Sequence, residues 1–221
     1  MYPLGRIPSR PDSRDHVFSL HADLPVVLPK SFRAKAYPVL NQGNTPKCVA
    51  YSGALNRTVE ELVDEKKLEF FDAPELYARC KEQDGAPTEA GTEIRVALII
   101  LKARGMKTVS GISKPIFAYS RLASIDEIKA SVLLTHTTWI GSVWYNSWFS
   151  PTKSGLLPKP DSVAGGHAYN VVGWSDSKKA FKIQNSWGAS WGLNGRAWLP
   201  YKYIDFNGDW EAWQTIDMLN D

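Results

Sequence analysis

An α+β fold with helices and strands segregated along the chain is predicted by three observations. Helical periodicity dominates the first half of the 221 residues, and β-branched and aromatic runs dominate the second. Seven of the nine tryptophans lie between Trp139 and Trp198, which points to an aromatic-rich C-terminal half. A chain of this length accommodates one medium domain, or two lobes sharing a cleft, with a substantial core.

Residues 1–40 read as an extended strap. Six of the fourteen prolines lie there (Pro3, Pro8, Pro11, Pro25, Pro29 and Pro38), interspersed with Arg6, Arg10, Arg14, Asp12 and Asp15. Proline at that density precludes a long helix. A helix is expected from Pro46 to about Lys67, with Cys48, Leu55, Val59 and Leu62 near one face and Arg57, Glu60, Glu61 and Asp64 on others. Thr45 suits the N-cap and Pro46 the first helical position, which places Cys48 near the third. Asp72-Ala73-Pro74-Glu75 has capping-box spacing and opens a short helix through Leu76, Tyr77 and Cys80, where Cys80 is expected to pack in the core.

Ile94, Ala97, Leu98 and Leu101 mark a third helix, with Gly105 as its stop. Ser124-Ile125-Asp126-Glu127 is a second capping box, opening a helix to about Leu134. Beyond it, Thr137–Val143, Ala168–Trp174 and Ala180–Gln184 read as strands, and Lys153–Ala164, with Gly155, Pro158 and Pro160, as a loop.

Composition narrows the function. The net charge of +3 does not suggest a nucleic-acid or membrane-surface partner. No apolar run approaches spanning length, and the N-terminus lacks a signal-peptide pattern. Two cysteines give no disulfide framework, so the expected compartment is reducing: cytoplasmic, or the host cytoplasm for a viral protein. No metal-ligand spacing and no phosphate loop occurs, so neither metal nor cofactor is expected. His16, His21 and His136 have no partner pattern and are assigned to the surface or to local hydrogen bonds.

Chemistry converges from three separated segments. Cys48 in a first helical turn faces unpaired N–H groups and the positive end of the helix dipole, an environment favouring thiolate. Ser175-Asp176-Ser177-Lys178 reads as a hairpin turn, and centring the pairing on Asp176 makes partners sum to 352. His167 then faces Asn185, with Tyr169, Val171, Phe181 and Ile183 on the same face. A cysteine nucleophile needs an imidazole to take its proton, and the imidazole needs a third group to fix its tautomer. An asparagine oxygen supplies that without adding a charge. The Gln42 amide and the Cys48 N–H are candidate donors to an oxyanion.

These residues resemble the papain-like cysteine peptidases. Asn41-Gln42-Gly43 followed by Cys48 is similar to the family's Gln-Gly loop, and Gly166-His167-Ala168 with Val172-Gly173-Trp174 to its histidine strand. Asn185-Ser186-Trp187-Gly188-Ala189-Ser190-Trp191-Gly192 matches the asparagine motif at every defined position. The resemblance spans roughly residues 28–205, with weaker similarity at Glu75-Leu76 and Gly91–Met106. It implies a two-lobe fold, a helical lobe at about 40–115 and a β-rich lobe at about 116–221, with the active-site cleft between them.

By the same resemblance Cys48 is the nucleophile, His167 the acid/base, Asn185 its orienting partner and Gln42 an oxyanion donor. Gly91, Gly166 and Trp187 border the substrate, and Trp187 shields the His–Asn bond from water. The substrate would be a polypeptide. Departures are concentrated around the cysteine: Thr45, Pro46 and Lys47 replace the common Cys-Gly-Ser, and Val49 replaces an aromatic residue. His167 follows Cys48 by 119 positions (167 − 48) and Asn185 by 137 (185 − 48). The first falls short of the roughly 130–150 usual in these enzymes, implying trimmed loops.

Leu28-Pro29-Lys30-Ser31 resembles a mature N-terminus, leaving residues 1–27 as an extension. No long helical inhibitory prosegment is present, so this extension is expected to run through or beside the cleft and limit access. A binding or assembly protein that keeps the fold without cleaving, and an acyl transferase using the same four residues, are the competing readings.

Overall fold

The computed structural model describes residues 2–13, 15–17, 27–35 and 37–217. Among the described residues the N-terminal segment has no helix. It carries only β1 (Arg6–Ile7) and β2 (Ser31–Arg33), as its prolines require. His21 lies outside the described residues.

Three helices build one lobe: α1 (Cys48–Asp64), α2 (Ala73–Gln83) and α3 (Ile94–Arg104), with the two-residue β3 (Thr92–Glu93) leading into α3. The local signals hold where they are strongest. The Asp72 side chain accepts from Glu75 N at 3.0 Å with Pro74 in the first turn, so α2 starts at the expected place. Glu75 does not complete the capping box; it pairs with Arg79 and Lys107. Gly105, at φ +73°, ends α3.

α1 departs from expectation at both ends. Its N-cap is Lys47, so Cys48 is the first helical residue rather than the third. Thr45 does not cap; its hydroxyl donates to Gln42 O at 2.6 Å and its carbonyl accepts from Gln42 Nε2 at 2.7 Å, holding the preceding loop in a tight turn. Arg57, Glu60 and Glu61, expected on a polar face, are buried. Arg57 pairs with Glu60 (2.7 Å), Glu61 (2.9 Å) and Asp217 (2.9 Å) beneath the second lobe.

A β4–β5 ribbon (Met106–Lys107, Ser113–Lys114) leads to the second lobe, built from β6 (Ile116–Leu122), β7 (Thr138–Tyr145), β8 (Val163–Ser175), β9 (Ala180–Gln184), β10 (Arg196–Pro200) and β11 (Trp210–Asp217), with α4 (Ile125–Thr135) between β6 and β7. The strands form an antiparallel sheet in the order β10-β9-β8-β7-β11-β6, with β2 added to the end of β8. Ser124 caps α4 through Glu127 N (3.2 Å), and His136 ends it in the left-handed region at φ +62°. His136 Nδ1 meets the Tyr37 hydroxyl, 99 residues away in the chain, at 3.1 Å.

β8 begins at Val163, two residues inside the stretch read as loop. The β8–β9 register also differs from expectation. Asn170 faces Gln184 and Val171 faces Ile183, then a bulge at Val172-Gly173 shifts the pairing so that Trp174 faces Phe181. The bulge sits where Gly173 lies under the Phe32 carbonyl of β2, too close for any side chain. Below the bulge the offset is two residues, and an even offset keeps every side chain on its face.

One core cluster fills the helical lobe and reaches across to Trp139, Ala168 and Trp213 of the sheet. Another packs Trp144, Trp148, Trp174, Trp187, Trp191 and Trp210 against the sheet. Cys80 is buried in the first cluster, as its spacing suggested, and burial pushes its thiol up to about 12.

Candidate active site

Cys48 opens α1 on one lobe, and His167 sits within β8 on the other. The backbone N–H groups of Ala168, Val49 and Gly5 interact with the Cys48 sulfur, so the thiol rests against the strand carrying the histidine. His167 Nε2 donates to Asn185 Oδ1 at 2.8 Å. Ser186 N donates to that same oxygen at 2.8 Å, which fixes the amide's orientation and hence the imidazole tautomer. Nδ1 is therefore the bare acceptor, buried with no hydrogen-bond partner among the described residues.

The Trp187 ring lies over His167, with centroids 4.4 Å apart and planes 20° from parallel. Trp144 meets the imidazole edge-on at 4.9 Å. Asn185 does not sit directly opposite His167 in the ladder, because β9 ends at Gln184. The segment after β9 brings it there: Asn185 N donates to Gly195 O, and Gly188 N donates to Leu40 O.

Gln42 is fixed from both sides. Its backbone N–H donates to Ser186 O at 2.8 Å and its Oε1 accepts from Ser186 Oγ at 2.7 Å. These bonds hold the glutamine loop to the asparagine segment across the two lobes and leave one Nε2 donor on Thr45 O and the other towards the cleft.

Residues 2–7 lie in that cleft. Tyr2 stacks on the outer face of Trp187 (4.7 Å, 11°), giving a three-ring pile of Tyr2, Trp187 and His167. The Pro3 carbonyl accepts from Gln42 Nε2 at 3.2 Å. Gly5 N donates to Gly166 O (3.2 Å), and Gly5 O accepts from Thr92 N (3.0 Å). β1 then pairs in parallel with β3. A methyl group on Gly91, at φ +88°, would come within 2.4 Å of the Gly5 carbonyl oxygen, and one on Gly166 within 2.1 Å of the Arg6 oxygen. Both glycines thus let backbone approach backbone. The Arg6 side chain is buried, paired with Asp209 (2.6 Å) and Glu211 (2.8 Å), and further along Arg95 holds Asp12 (2.7 Å) and Asp15 (3.0 Å).

Enclosure reverses the expected ionisation. Cys48 and His167 are both 0% exposed. Burial pushes the Cys48 thiol up to about 11, against the smaller opposing effects of the backbone N–H groups and Arg6. Burial likewise lowers His167 to about 3, with the Asn185 bond opposing. With the strap in place the pair is neutral thiol and neutral imidazole. Desolvation outweighs the helix terminus that was expected to favour thiolate.

Of the residues singled out in the sequence, Cys48, His167, Asn185, Gln42, Gly91, Gly166 and Trp187 all border the same cleft. Sequence reasoning missed Glu211 and Gly141. A methyl group on Gly141 would lie 2.8 Å from both Arg6 Nε and Glu211 Oε1. Neither residue belongs to a local motif, so no signal in the sequence marked them.

Comparison with known proteins agrees with this geometry. The family profile "Papain family cysteine protease" matches residues 102–204, which include His167 and Asn185 but not Cys48. An uncharacterized peptidase C1-like protein of Acanthamoeba polyphaga mimivirus is 40% identical over 138 residues, 58% of this chain; the chain spans only 40% of that relative's length. Xylellain, a cysteine protease from Xylella fastidiosa, superposes with a TM-score of 0.85 at 25% identity, covering 98% of this chain and 97% of that one. Procathepsin B S9 from Trypanosoma congolense gives the same TM-score at 16% identity, covering 98% and 87%, and so speaks for the fold alone. A helical lobe and an antiparallel sheet lobe meeting at a cysteine–histidine–asparagine cleft define the papain-like class. Over residues 102–204 and in its two-lobe fold, the chain is similar to the papain-like (C1) cysteine peptidases.

Proposed function

We propose that the chain is a cysteine endopeptidase that hydrolyses polypeptides through a Cys48 thioester, and that residues 1–27 hold it latent. The observation that carries the reading is the His167 imidazole, its Nε2–H committed to Asn185 and its bare Nδ1 on the strand that touches the Cys48 sulfur.

In an open cleft Cys48 gives its proton to His167 Nδ1, and the sulfur attacks the substrate carbonyl. The Cys48 N–H, which has no intrahelical partner at the first helical position, and Gln42 Nε2 receive the oxyanion. That Gln42 donor already holds the Pro3 carbonyl, which supports the strap as a stand-in for substrate backbone. Collapse of the tetrahedral adduct breaks the C–N bond, and the leaving amine takes the proton from His167. Water, deprotonated by the same nitrogen, then hydrolyses the thioester. A reducing compartment, cytoplasmic or in the host cytoplasm for a viral protein, would keep Cys48 reactive.

The test is a strap that cannot seat. A Cβ on Gly5 would fall 2.1 Å from the Pro46 carbonyl oxygen. Gly5→Ala in the full chain should raise peptide hydrolysis and Cys48 labelling by E-64 at least tenfold over the parent. Cys48→Ala or His167→Ala in the same background should abolish both. A Gly5→Ala chain that neither labels nor cleaves would overturn the peptidase reading; equal rates for parent and variant would overturn the latency.

A further inference from the structure

The edge of the helical lobe that meets the strap is held in place by side chains of α2. That helix ends at Gln83, and residues 85–90 run largely exposed before Gly91 and the buried Thr92. Gly91 is gripped on both sides of its backbone. Its N–H donates to the Tyr77 hydroxyl at 3.0 Å, and its carbonyl accepts from Lys81 Nζ at 2.9 Å. Asp84 closes the clamp. Its Oδ2 accepts from Lys81 Nζ (2.8 Å) and from Thr92 Oγ1 (3.0 Å), and its Oδ1 accepts from Ala86 N (3.0 Å). The Lys81 and Asp84 side chains are only 9% and 10% exposed, so salt and water screen the pair little.

With both polar groups of Gly91 taken, the backbone donor that this edge shows to the cleft is the Thr92 N–H. The strap's Gly5 carbonyl occupies it at 3.0 Å, and Gly5 N reaches Gly166 O on the other wall at 3.2 Å. One residue of bound backbone thus spans the cleft. The Tyr77 ring lies 5.6 Å from Nζ of Lys47, the residue at the N-cap of the Cys48 helix. The clamp therefore fixes the Thr92 donor relative to the sulfur as well as to α2. An exposed loop alone would not, and a donor displaced by about 1 Å falls outside hydrogen-bond range.

We propose that Tyr77, Lys81 and Asp84 are positioning residues that set the Thr92 N–H as a backbone-binding edge, and so govern how tightly an extended peptide binds rather than how fast it reacts. The claim rests on the peptidase reading and names what holds its substrate backbone. An interaction made equally in the bound peptide and in the transition state lowers KM and leaves kcat unchanged.

The experiment uses the full chain carrying Gly5→Ala, which frees the edge. Lys81→Met keeps the apolar stem and removes the ammonium; Tyr77→Phe removes only a hydroxyl and serves if Lys81→Met does not fold. Either variant should raise KM for an extended peptide at least tenfold, with kcat within twofold of the Gly5→Ala parent. Alkylation of Cys48 by iodoacetamide, which needs no backbone contact, should stay within twofold. An unchanged KM, or kcat and alkylation falling together with binding, would overturn the positioning role. A second arm adds Cys48→Ala and needs no cleavage. It measures calorimetrically the binding of the acetylated peptide of residues 2–9, and of its analogue with a trans-alkene in place of the Gly5–Arg6 amide. Lys81→Met should weaken the amide peptide at least tenfold and the alkene peptide less than twofold, because only the amide presents the Gly5 carbonyl. Equal weakening of both, weakening of neither, or binding of neither would overturn the clamp. A parent that neither cleaves nor alkylates, with the amide-specific loss retained, would strike the peptidase reading and spare the clamp.

Discussion

His167 is an imidazole shut away from water, and that burial has a measurable pH signature. Its folded value, about 3, lies below the ordinary 6.5, so the closed protein binds fewer protons than the unfolded chain between those values. Stability contributed by the neutral imidazole is present above pH 6.5 and is lost as pH falls towards 3, by up to about 1.4 kcal/mol per pH unit. Cys48 works in the other direction: its folded value, about 11, exceeds the ordinary 9.0. Its contribution is complete below pH 9 and is lost as pH rises through 11. Urea midpoints should therefore plateau between about pH 6.5 and 9 from this pair. Replacing His167→Gln should flatten the acid limb between 6.5 and 4, and a titration series of denaturation curves checks it.

At the scale of elements, legibility follows the range of the forces. The starts of α2 and α4 were readable because a cap is settled by a side chain bonding three residues ahead, Asp72 to Glu75 and Ser124 to Glu127. Asp72→Ala should lower stability by about 1 kcal/mol, read as a shift in denaturation midpoint with the α1 region unaffected. The start of α1 was misplaced because the loop before it answers to Ser186, 144 residues away from Gln42, rather than to its own capping preferences. The β8–β9 register was missed for the same reason, since β2 arriving at Gly173 imposes the bulge. β6, β10 and β11 carry no comparable local signal. Trp210, Glu211, Ala212, Trp213, Gln214 and Thr215 of β11 are buried in succession, so no polar–apolar alternation advertises that strand.

For the whole molecule, the joint between the lobes is ionic as well as apolar. Arg57 of α1 joins Glu60 and Glu61 to Asp217 at the end of β11, and Lys114 also grips Glu61. Burial raises Glu60 despite Arg57 beside it, so its charge depends on the cation staying. Arg57→Ala should destabilise the protein by roughly 3–5 kcal/mol, because it strands buried carboxylates. Calorimetry should show the loss as a lowered transition for the whole chain rather than for one lobe.

Periodicity, two caps, a proline-rich strap and an eight-residue asparagine motif determine an α+β chain and single out Cys48, His167, Asn185 and Gln42 as its candidate reactive set. Those are local patterns, written in neighbouring letters, and short-range physics enforces them. That the thiol is neutral, that Arg6 lies in an acidic pocket, and that Gly141 clears the way to Glu211 were decided only when distant segments packed. Burial and counter-charge belong to the assembled volume, and no stretch of sequence carries them alone.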